Sequence, residues 1–226
     1  MIFWIPLIAI LALSAWAQYQ VSHQFKKYSQ MTNRRYLTGA QAAAAVLRAH
    51  GVTGVNIVRY GGHLTDHYNP RDNTIYLSES VYDKATIAAV GVACHEAGHA
   101  CQYADQYAPI RIRSAIIPVC QIGSSFSYIL ILIGLFLYSQ SWFGLGVLLF
   151  SFTTLFQLIT LPVEFNASRR ALATIEGEGL LYEDEYDGAR KVLRAAALTY
   201  VAALLTSLLY LMQYVLMFLS MGRRDD

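Results

Sequence analysis

The stretch His95-Glu96-Ala97-Gly98-His99 has the residue types and spacing of a metal-dependent hydrolase. On an α-helix, positions four apart differ by about 40° of rotation and one turn of rise, so two imidazoles reach one ion from the same face. Such a pair suits zinc. Glu96 follows the first histidine and projects beside the ion, near enough to take a proton from water activated by the metal but off the coordination position. Gly98 keeps the helix surface low, for close approach of a substrate or a second helix. Two solvent-facing histidines on an ordinary helix are the plain alternative. Residues 85–104, however, are almost all apolar or small, so His95, Glu96 and His99 are polar groups in a mostly buried helix and need partners. One zinc ion per chain supplies one.

The elements that hold this helix are set by hydropathy. Of 226 residues, 55% are apolar and 14% charged, against about 45–50% and about 25% in a soluble domain. A soluble globule and a disordered chain are both disfavoured. A net charge of +2 offers no basic field for a nucleic-acid backbone. Cys94, Cys101 and Cys120 are too few for a disulfide framework and read as reduced thiols in buried space. Four apolar stretches, residues 1–17, 114–138, 142–163 and 195–221, approach or exceed the ~20 residues that cross a bilayer. The first ends in Ala15-Trp16-Ala17, similar to a signal-peptidase site, but no Lys or Arg precedes it, which favours an uncleaved anchor. With four crossings, 15 of the 17 Lys and Arg share one side; the positive-inside rule makes that side cytoplasmic, with the N-terminus, Ser139-Gln140-Ser141 and the tail opposite.

The expected organisation is therefore a first transmembrane helix (1–22), a region with a small sheet and the zinc helix (23–113), a transmembrane hairpin (114–163), a helix and turn (164–194), a fourth transmembrane helix (195–221) and a tail (222–226). Within it, Thr38-Gly39-Ala40-Gln41 is a capping box opening a helix to about His50. Residues 55–60, 64–68 and 74–77 read as strands of a small antiparallel sheet, separated by Gly61-Gly62 and by Asn69-Pro70-Arg71-Asp72-Asn73. Ser80 and Asp83 predict the start of the zinc helix near Val81. Pro162 predicts a break, with Glu164 in the first turn of a new helix. Glu183, Asp184, Glu185 and Asp187 favour the positive end of the last helix.

An open zinc site usually takes three protein ligands. Glu164 is the candidate for the third, because an even number of crossings returns it to the side of His95.

HEAGH, a hydrophobic hairpin and then Glu164-Phe165-Asn166-Ala167-Ser168-Arg169-Arg170-Ala171 resemble the layout of membrane gluzincin peptidases related to HtpX and the prenyl-protein proteases. Residues 62–71 and 89–102 are still more similar to the YugP-like neutral zinc metallopeptidase family. The resemblance implies a polytopic α-helical membrane protein of about four transmembrane helices with a small α+β zincin-like catalytic region at the membrane surface. It implies His95, His99 and Glu164 as zinc ligands and Glu96 as catalytic base. Ser168 stands where the HtpX type carries an aspartate, which puts that carboxylate's role in question. The strand through His67 and Tyr68 occupies the place where similar zincin folds keep an edge strand for substrate backbone, and either residue is a candidate oxyanion donor.

The expected activity is zinc-dependent hydrolysis of peptide bonds in a peptide or membrane-protein substrate, in the lipid bilayer and without nucleic acid. Two rivals differ in their metal shell. A site-2-type intramembrane protease would recruit Asp72 from the Asn69-Pro70-Arg71-Asp72 run, and a scaffold with structural zinc would need a fourth protein ligand.

Overall fold

A computed structural model describes residues 4–222, with side chains from residue 8. The start of the first expected span and the tail with Arg223 and Arg224 lie outside the described residues. Six helices and three strands follow in chain order: α1 (Trp4–Tyr28), α2 (Gly39–Ala49), β1 (Asn56–Tyr60), β2 (His67–Asn69), β3 (Thr74–Ser78), α3 (Ile87–Ala104), α4 (Ala108–Phe136), α5 (Gln140–Gly177) and α6 (Glu183–Gly222). The described residues form two compact units, one of residues 4–16, 111–162 and 200–222, the other of 17–110 and 163–199.

In the first unit, Ile131, Phe143, Val147 and Phe150 form a small core beside Tyr210, Tyr214 and Phe218 of α6. Leu132, Phe136, Leu148 and Leu219 face outward and are more than half exposed. Apolar surface on this scale is stable only against a nonaqueous partner. Among the described residues three helices, α4, α5 and α6, are long and apolar enough to cross a membrane.

The second unit carries the larger core, in which Ala42 and Val46 of α2, Ile75 and Leu77 of β3, Val90, Ala93 and Ala97 of α3, and Ala171 and Ile175 of α5 are fully buried. Helix α3 is buried nearly all round, as expected of a helix apolar on every face. The α2 capping box forms as expected, with Thr38 Oγ1 accepting from Gln41 N–H and the Gln41 side chain accepting from Thr38 N–H.

Three local expectations are corrected. The sheet is mixed, in the order β1-β3-β2: β3 pairs antiparallel with β2 but parallel with β1. Turn residues reveal only the β2–β3 hairpin. The segment 61–66 carries the chain across β3, held by Asp66, whose carboxylate accepts from Ser78 N–H (2.7 Å) and Ser78 Oγ–H (3.0 Å). The zinc helix starts six residues late, capped by Thr86, which accepts from Ala89 N–H. The carbonyls of Tyr82, Lys84 and Ala85 instead accept from Ala40, Gly39 and Asn33, long-range bonds that a local cap signal cannot anticipate. Finally, α5 runs unbroken through Pro162. The ring removes one N–H from the ladder, and the full burial of Val163, Ala167 and Ala171 just beyond it outweighs that single loss.

Candidate metal centre

Helix α3 places His95 and His99 one turn apart, and α5 brings Glu164 between them. Glu164 Oε2 lies 3.3 Å from His95 Nε2 and 3.5 Å from His99 Nε2, and one donor atom from each of the three side chains falls within 4.8 Å of the others. Tetrahedral zinc with N and O ligands at about 2.0–2.2 Å requires neighbouring donors about 3.3–3.5 Å apart. The donor set fits zinc in ligand type, and the two carboxylate-to-imidazole separations fall in that range. Among the described residues no fourth His, Cys, Asp or Glu joins the group. Glu164 is 2% exposed, Glu96 and His99 8%.

The approach of the two helices depends on Gly98. A Cβ there would lie 2.7 Å from the Ala167 carbonyl oxygen, so the low surface expected of this glycine accommodates α5. The second ring nitrogens are also engaged: His95 Nδ1 is 3.1 Å from Ser168 Oγ and His99 Nδ1 is 3.0 Å from Gln102 Oε1. Ser168 thus contacts the first histidine of the motif, a task the shorter side chain performs without a carboxylate. Gln102 in turn donates to Val163 O and Asn166 Oδ1, Arg170 donates to Asn166 Oδ1, and Arg170 pairs with Asp105. Burial opposes charge on His99, but the Glu164 hydrogen bond and the charges of Glu164 and Glu96 outweigh it, holding its pKa above the ordinary imidazole value.

A family model described as "Putative neutral zinc metallopeptidase" matches residues 3–219. The chain belongs to that family. Among curated proteins it is 46% identical over 226 residues, covering 100% of both chains, to the "Putative membrane protease YugP" of Bacillus subtilis (strain 168). No solved structure matches it. The YugP-like neutral zinc metallopeptidase family expected from residues 62–71 and 89–102 is therefore borne out. The relative's name and the three apolar helices among the described residues together point to membrane association.

Glu96 stands beside the donor group, its Oε2 accepting the backbone N–H of Tyr68 at 3.0 Å. This ties α3 to β2, an edge strand of the sheet. The Tyr68 hydroxyl donates to Asn73 Oδ1 and its ring packs on Tyr103, while His67 stacks on Tyr76. Asp72 is taken up in the β2–β3 turn, accepting from Asn69 Nδ2 and Tyr76 Oη, and among the described residues it does not join the His95, His99 and Glu164 group. All three cysteines are free and buried; burial pushes the Cys94 thiol well up and, as the largest effect, raises Cys101 to about 11. Sequence reasoning passed over Gln102, Asn166 and Arg170. The available signals were spacings: Gln102 is three residues after His99, and Asn166 and Arg170 are four apart on α5.

Proposed function

We propose that the chain is a membrane-embedded zinc metalloendopeptidase with His95, His99 and Glu164 as the ligands of one zinc ion and Glu96 as general base. The observation that supports this most is the convergence of the three donors at zinc spacing with the Glu96 carboxylate alongside, in a chain of the neutral zinc metallopeptidase family. When bound, zinc supplies Lewis acidity toward the scissile carbonyl and the attacking water. The Tyr68 N–H holds Glu96 Oε2, leaving Oε1 to take the water proton and deliver it to the leaving amine nitrogen. An extended substrate adds to the edge of β2 through main-chain hydrogen bonds, which gives sequence-tolerant binding. His67 and Tyr68 on that strand are the candidates for substrate or oxyanion contact.

The topology proposed with this activity is multi-pass, with residues 18–113 and 164–194 on the cytoplasmic side, since they carry 15 of the 17 Lys and Arg. Cysteine labelling from either side at Ser22 and Gln140 tests it, and labelling of both from one side excludes it. For the activity, Glu96→Gln keeps the side-chain shape but cannot accept the proton. Zinc content should stay at the wild-type level while hydrolysis of a casein-type substrate falls by at least about 100-fold. Full activity would remove Glu96 from the mechanism.

A further inference from the structure

We infer that Gln102 is a positioning residue that fixes the tautomer of His99 and so presents the Nε2 lone pair to the metal. The inference rests on the zinc reading above but concerns a residue outside the ligand set. Its logic starts at Arg170, whose guanidinium has only donors and stays protonated. Arg170 Nε lies 2.9 Å from the Asn166 side chain, so the Asn166 atom facing it is the carbonyl oxygen. That oxygen also faces the Gln102 amide at 2.9 Å, and the Val163 carbonyl faces it at 2.8 Å. Both only accept, so both face the Gln102 nitrogen, whose two hydrogens are thereby used.

The Gln102 oxygen is what remains for His99 Nδ1, 3.0 Å away. An amide oxygen only accepts, so Nδ1 carries the hydrogen and, in the neutral ring, Nε2 carries the lone pair. Gln102 is fully buried, so water cannot replace these partners, and turning the amide over would set its oxygen against two others. Nε2 faces Glu164 Oε2 at 3.5 Å. With the ring neutral, this lone pair and the carboxylate oxygen face the position a metal ion would take. Ser168 differs, because a hydroxyl donates or accepts and does not by itself choose the tautomer of His95.

The test uses the full-length protein in detergent. In the metal-free wild type, at a pH where the imidazole is neutral, nitrogen NMR of labelled histidine should find His99 protonated at Nδ1; protonation at Nε2 overturns the inference. Zinc affinity by competition with a chromogenic chelator, beside thermal unfolding of the metal-free form, separates positioning from mere packing. Gln102→Leu should weaken zinc about 10- to 100-fold. Gln102→Glu still accepts from Nδ1 but cannot donate to Val163 and Asn166, so it should unfold at a lower temperature and bind zinc more tightly than Gln102→Leu. Zinc affinity of Gln102→Leu equal to wild type, or equal losses in both variants, sinks the positioning role. A wild type that binds no zinc sinks the metallopeptidase reading itself, whereas zinc binding with the wrong tautomer sinks only this inference.

Discussion

Replacing Gly98 by alanine tests whether the crossing of α3 and α5 sets the spacing of the metal donors. The added Cβ would meet the Ala167 carbonyl oxygen at 2.7 Å and its Cα and carbonyl carbon at 3.3 Å, where ordinary contact begins at 3.4 Å. The obstacle is backbone, so the helices must part by roughly 0.7 Å, the difference between 3.4 and 2.7 Å. The donor separations of 3.3 and 3.5 Å would then stretch toward about 4 Å, beyond the tetrahedral requirement of about 3.3–3.5 Å. In the metal-free protein the parted helices relieve the clash, and alanine adds up to about 1 kcal/mol of helix preference, so thermal stability should change little. Closing on zinc restores the overpacking, at about 1–3 kcal/mol, which is about 5- to 150-fold in affinity at ~1.4 kcal/mol per tenfold. Gly91 on the same helix is the control: its added Cβ meets Ala189 Cβ at 3.4 Å, so Gly91→Ala should keep wild-type zinc affinity. Chelator competition measures both. Gly98→Ala binding zinc as tightly as wild type would refute the argument.

Zinc affinity should fall with acid from above the ordinary imidazole pKa, because His99 is held above that value in the metal-free protein and its proton competes with the metal. The raised pKa stabilises the metal-free fold fully at low pH, and this contribution disappears as pH rises through the folded-state pKa; thermal unfolding of apo and zinc forms across pH 5–9 reads both signs. Ser168→Ala, which strips His95 Nδ1 of its 3.1 Å partner, should cost about 10- to 100-fold in zinc affinity, and Ser168→Asp should restore it. Glu164→Ala should empty the site and abolish hydrolysis, while Asp72→Ala should leave zinc content unchanged by metal analysis; the opposite pattern would reinstate the site-2-type shell.

What was legible in the sequence follows the range of the interactions involved. His95 and His99 are joined by one helical turn, and Thr38 and Gln41 by a capping box, so their pairing is written within five residues. Glu164 could be named because hydropathy counts crossings. The zinc-helix start was missed because Tyr82, Lys84 and Ala85 give their carbonyls to residues 33–40. The mixed sheet was missed because Asp66, the residue that fixes the crossing to Ser78, reads in isolation as one more polar loop residue. Gln102 escaped notice because its partners come from α5, about 60 residues away.

The distance along the chain between the metal donors also has a consequence in time. Glu164 follows His95 by 69 residues, and at about 5–20 residues per second of synthesis it is made roughly 3–14 s later. Throughout that interval the nascent chain has His95, Glu96 and His99 but not Glu164, and α4 and most of α5 must be made first. On the function proposed above, a protease assembled in this order stays unarmed while α4 and α5 are still being made. A chain arrested near residue 150 should accordingly hold zinc no better than an isolated pair of histidines, and competence should arrive only once the helix through Pro162 has been completed.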